Sequence, residues 1–137
     1  MGEYSLHGPD HWRRVEGNGL MLARETGADV FVVRLFAVLH DCRRQSEGSD
    51  PRHGERAAET AAAWRGVHFA LDDARFALLT MALIEHDRGL TSDDPTIGTC
   101  WDADRLDLVR CGVRPDPRLM STVAGKAAAR GGRSGVG

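Results

Sequence analysis

The stretch FVVRLFAVLHDCRRQ, residues 31–45, decides how this chain is read. From Phe31 to Leu39 only Arg34 interrupts the apolar run, so nearly every face of a helix built there is hydrophobic. Such a helix belongs in the middle of a fold. It ends in His40-Asp41, two potential metal ligands. An ionised Asp is costly to bury unless a cation or hydrogen bonds compensate it. The competing explanation is a helix end reaching solvent with Asp41 exposed. The company the pair keeps weighs against that explanation: His11, His53, His86 and Asp104 each fall at the edge of a helical segment.

Working outward, Gly8-Pro9-Asp10 opens a first helix that Gly27 stops. Gly17 and Gly19 weaken its middle and allow a kink or a close helix contact. The second helix runs from about Asp29 to Arg43. Asp50-Pro51 reads as the cap and first turn of a third, which carries His53 and runs to Trp64 before Gly66. Asp72 caps a fourth, DARFALLTMALIEH, with His86 at its end. GLTSDDPTIG reads as a loop, and TCWDADRLDLVRC, roughly Thr99 to Cys111, as a fifth helix. Asp116-Pro117 opens a sixth, RLMSTVAGKAAAR. No alternating strand pattern competes. The expectation is an all-α, compact bundle of five to six helices. Its single domain covers residues 1–125, with a flexible tail over 126–137.

With 137 residues the chain fits one core. A hydrophobic fraction of 42% and a charged fraction of 28% are those of a soluble globular protein. The net charge of −2 leaves no basic footprint for nucleic acid. No apolar run approaches the roughly 20 residues that span a bilayer, and the N-terminus lacks a secretory pattern. Cys42, Cys100 and Cys111 have no CxxC spacing, which points to free thiols in a reducing cytoplasm. A bundle this small often dimerises, so a homodimer is allowed, but no heptad seam identifies a face.

If neighbouring helices alternate direction, the start of one lies beside the end of the next. His11, His40, Asp41, His53 and His86 can then converge at one end of the bundle. Imidazoles with carboxylates make an N/O ligand set suited to Mn, Fe, Ni, Co or Zn, one or two ions. Such an ion activates water and polarises a phosphoryl oxygen. Asp41 is placed to bridge two metals or orient the water, which makes it the catalytic candidate. Arg13, Arg14, Arg43 and Arg44 flank the ligands, and Arg14, Arg43 and Arg44 are candidates to grip a substrate phosphate. Each has a plainer reading as well: His53 and His86 as helix caps, Arg43 and Arg44 as charges complementing a helix end. Trp12, Trp64 and Trp101 fit core or pocket wall.

The order HWRRV, then LHD, then ADRLD resembles the HD-domain superfamily of metal-dependent phosphohydrolases over about residues 5 to 112. The resemblance implies a metal site of His11, His40, Asp41 and Asp104, with Asp102 outside the first ring of ligands or exposed. In several branches two further histidines bind a second metal or the phosphate, and His53 in HGERAA and His86 in IEHD sit where those fall. The implied activity is hydrolysis of a small phosphoester, of nucleotide type, through a metal-activated water. Alternatives within the same likeness are a di-iron oxygenase and a degenerate module that binds a nucleotide or partner without turnover. Alarmone hydrolases of the family carry an acidic pair after HD. Here Cys42-Arg43-Arg44-Gln45 follows, which argues against that subtype. The monophosphatase branch likewise wants an acid soon after HD; Glu47 is the nearest and is poorly placed, which argues against that branch as well.

Overall fold

A computed structural model describes residues 9–40, 52–107 and 115–131. Six α-helices lie within them: α1 Pro9–Thr26, α2 Val30–Leu39, α3 His53–Trp64, α4 Asp73–Glu85, α5 Pro95–Leu106 and α6 Val123–Gly131. Among the described residues there is no strand; Arg65 and Phe69 make one isolated bridge. The all-α bundle expected from the sequence is the fold observed. No helix among these residues is long and apolar enough to cross a membrane.

The apolar run of α2 sits at the centre, as its composition requires. Asp29 caps it, its carboxylate accepting from the Val32 amide at 3.1 Å. Val32, Val33, Phe36, Ala37 and Leu39 are buried, and the helix packs against α1, α3, α4 and α5. Gly19 allows the approach of α1, since a Cβ there would collide with the Val33 side chain. Gly17 faces open space, so of the two glycines only Gly19 serves a close contact.

Contacts at both ends of the bundle give the helix directions. Asp29, before α2, accepts from Arg75 near the start of α4 at 3.0 Å. Its amide donates to Thr96 at the start of α5 at 2.9 Å. At the other end the rings of His40 and His86 are 5.3 Å apart, and Asp104 of α5 approaches His40. Helices α2, α4 and α5 are therefore parallel. Helix α1 runs against them: its end meets α5's start through Thr26 and Thr99, 2.8 Å apart. Alternation of successive helices, the sequence-based expectation, thus holds from α1 to α4 and fails between α4 and α5. Residues 87–94 carry the chain back along the bundle, so that α5 also ends at the histidine end.

Several boundaries differ from expectation for identifiable reasons. Helix α5 begins at Pro95, inside the stretch read as a loop. Asp94 is its cap, accepting from the amides of Thr96 at 2.8 Å and Ile97 at 2.9 Å, and Pro95 occupies the first turn. Asp72 stands at the cap position of α4 but makes no side-chain cap bond. The single helix expected after Asp116-Pro117 is two pieces, a 3-10 turn at Pro117–Leu119 and then α6. Helix α6 continues through Gly131, past the boundary at residue 125, with Ala129 buried. Asp102 is neither exposed nor among the ligand groups. It is fully buried and fastens the start of α6, accepting from the Ser121 amide at 2.7 Å, the Thr122 amide at 2.9 Å and the Thr122 hydroxyl at 2.7 Å. A Cβ at Gly125 would strike this carboxylate.

Candidate metal centre

Helix ends supply the site. His11 is the third residue of α1, His40 caps the end of α2, His53 opens α3, His86 caps the end of α4, and Asp104 lies in the last turn of α5. Among the described residues two groups of donors result: His11, His40 and Asp104, and beside them His53, His86 and Asp87.

In the first group His11 Nε2 and His40 Nε2 are 3.0 Å apart. Asp104 Oδ1 lies 3.3 Å from each. Bonds of roughly 2.0–2.2 Å to one ion place neighbouring ligand atoms about 3.0 Å apart in an octahedron and about 3.4 Å apart in a tetrahedron. The three atoms meet that spacing. The proton positions point the same way. His40 Nδ1 lies 3.0 Å from the Ala37 carbonyl and 3.2 Å from that of Phe36. A carbonyl only accepts, so Nδ1 carries the proton and donates. His11 Nδ1 donates to Asp107 Oδ2 at 2.6 Å. In the neutral rings both Nε2 atoms then present lone pairs to each other, an arrangement that needs a proton or a cation to hold it.

Without a metal it is a proton. Burial alone would lower the His11 pKa. The hydrogen bonds that His11 donates to Asp104 and Asp107, and the negative charges of those carboxylates, outweigh it and raise the value to about 9. Burial opposes ionisation of Asp104 as well. The charge of His40 and the hydrogen bonds of His11 and His40 hold its carboxyl well below the usual carboxylate range.

In the second group His53 Nε2 and His86 Nε2 are 2.9 Å apart. His86 Nδ1 donates to the Leu83 carbonyl at 2.8 Å, and Asp87 Oδ2 stands 3.4 Å from His53 Nδ1. Gly54 permits this approach, because a Cβ there would sit 2.6 Å from the Leu83 carbonyl oxygen and 2.7 Å from that of Ile84. The two groups abut through His40 and His86, whose rings meet edge to face, and Phe36 stacks on His40 at 4.9 Å. The structure therefore has His/Asp groups that can hold a metal ion.

Of the residues singled out from the sequence, His11, His40, Asp104, His53 and His86 are brought together. Asp41, Arg43 and Arg44 lie outside the described residues, as do Cys42, Glu47 and Cys111. Arg14 is placed beside the site but is engaged elsewhere, its Nε donating to Asp107 Oδ1 at 2.7 Å. Trp101 is core, donating to the Ala82 carbonyl at 3.0 Å. Cys100 is a free, buried thiol, and burial pushes its pKa up. Sequence reading missed Asp107, although it is the last letter of ADRLD; three residues after Asp104, it shares a helix flank with it. Comparison of the chain with protein-family models, with curated proteins and with solved structures found no match.

Proposed function

We propose that the chain is an HD-type, metal-dependent phosphohydrolase acting on a small phosphoester of nucleotide type. One observation carries the reading: His11 Nε2, His40 Nε2 and Asp104 Oδ1 converge within 3.0–3.3 Å. The order of these residues along the chain supports it, through the likeness of HWRRV, LHD and ADRLD to the HD superfamily. The residues fit a divalent transition metal, since the donors are imidazole nitrogens and a carboxylate oxygen. When bound, such an ion supplies an acidified water and a Lewis acid for a phosphoryl oxygen.

The chain's own residues have separable tasks in this reading. His11, His40 and Asp104 hold the ion, with Asp41 beside His40 in sequence as the remaining ligand and the group that orients water. His53 and His86 hold a second ion or receive the phosphate. Arg43 and Arg44 grip the substrate phosphate by paired donation.

The test is elemental analysis of protein made without a metal-binding tag, beside Asp104→Asn. Near-stoichiometric Mn, Fe, Co, Ni or Zn in the wild type, lost in the variant, is expected, together with metal-dependent phosphate release from a nucleotide panel. If both proteins stay metal-free after incubation with these ions, the reading fails. The adjoining second group favours one further reading, a di-iron oxygenase. About two irons per chain, with oxygen consumption and no phosphate release, would select it.

A further inference from the structure

The histidines of the site are aimed in two different ways, and the difference follows from where they sit. His40 and His86 end their helices, so carbonyls one turn earlier in the same helix are available. Phe36 and Ala37 serve His40, and Leu83 serves His86. His11 begins α1, and its own helix offers no carbonyl one turn before it. An acceptor must come from elsewhere, and Asp107 provides it, 96 residues away in sequence.

We infer that Asp107 is the positioning residue of His11, and that Arg14 positions Asp107 rather than gripping substrate. This rests on the metal-site reading above. The carboxylate is buried, with 6% of the residue exposed, and its oxygens divide the work: Oδ2 takes the imidazole at 2.6 Å and Oδ1 takes the Arg14 guanidinium at 2.7 Å. Burial without such partners would be costly. With them the carboxylate fixes both the tautomer and the ring plane of His11, and Nε2 is left to face His40 and Asp104. A carboxylate behind a ligating histidine is a recurrent way of raising ligand basicity and fixing orientation.

The test uses the full chain, with Zn as probe and a competing chelator to read affinity. Asp107→Asn can turn its amide toward Nδ1 and leave the proton on Nε2, the ligand atom. Zn binding should weaken by about 10–100-fold, the range seen for lost outer partners, with helix content unchanged. Arg14→Gln should weaken Zn binding several-fold and Arg14→Lys should restore most of it. Inhibition of the Zn-loaded protein by inorganic phosphate should be the same in all three Arg14 forms. Folded Asp107→Asn that binds Zn within about twofold of wild type overturns the inference. So does Arg14→Gln that weakens phosphate and spares Zn. If Asp107→Asn does not fold, the Arg14 pair decides alone. If wild type itself takes up no Zn, the metal reading fails separately. The ring-proton NMR spectrum then decides the orientation: a far-downfield His11 Nδ1 proton, lost in Asp107→Asn or shifted in Arg14→Gln, supports it, and no change in either overturns it.

Discussion

At the scale of the residue, His11 shows how a side chain's chemistry is set by groups far from it in sequence. A solvated imidazole has a pKa near 6.5, whereas here Asp104 and Asp107 overcome burial and raise it to about 9. The sign of the consequence is definite. In metal-free protein the raised value stabilises the fold fully below pH 6.5, and this contribution is lost as pH rises through 9. The shift corresponds to on the order of 3 kcal/mol. Denaturant unfolding in chelator should therefore show stability falling between pH 6.5 and 9.5. A bound metal replaces that proton, so its uptake releases about one proton in this window, and apparent affinity climbs about tenfold per pH unit before levelling near pH 9. Calorimetry in buffers of different ionisation enthalpy reads the released proton directly. Protonless uptake at pH 7.5 would show that His11 is not the group displaced.

At the scale of the element, the site depends on how closely helix ends can approach. His53 meets His86 only because Gly54 brings the start of α3 onto the last carbonyls of α4. Gly54→Ala would put a methyl into backbone, which cannot swing aside as a side chain can. Overpacking of this kind costs about 1–3 kcal/mol. The expected result is a lower denaturant midpoint together with loss of metal at the His53/His86 group while the His11/His40/Asp104 group still loads. Equal loss at both groups would show that the damage is global unfolding rather than separation of α3 from α4. Sequence signals placed most elements, because Gly27, Gly66 and the apolar run of α2 act locally. Asp94-Pro95 carries the same signature as Asp116-Pro117, yet the run of loop-forming residues around it concealed the start of α5.

At the scale of the whole molecule, the candidate ligands come from the starts of α1 and α3, the ends of α2 and α4, the last turn of α5 and Asp87 just beyond α4. An ion held there ties together helices that otherwise meet through apolar packing. Binding only to the folded state stabilises by about 2.7 kcal/mol at a hundredfold excess over Kd. Titration with Zn or Mn should raise the unfolding midpoint in wild type and raise it clearly less in Asp104→Asn, which keeps only the His53/His86 group; an equal rise in both would place the metal outside the His11/His40/Asp104 group. The helix directions that make the site were only partly predictable. Alternation brings His11, His40, His53 and His86 to one end, but α5 breaks the alternation, and Asp104 joins them because residues 87–94 return the chain first.

The sequence by itself determined the helical class, the burial of α2 and the candidate histidines, since periodicity, glycine stops and ligand residue types are written locally. Tertiary structure alone decided the rest. It put Asp102 under α6 instead of near the ligands, because three donors at the start of that helix needed a buried acceptor. It put Asp107 behind His11, because a histidine at a helix start has no carbonyl of its own to lean on. Such pairings join residues about 20 to nearly 100 positions apart, and only a packed fold brings them within hydrogen-bonding reach.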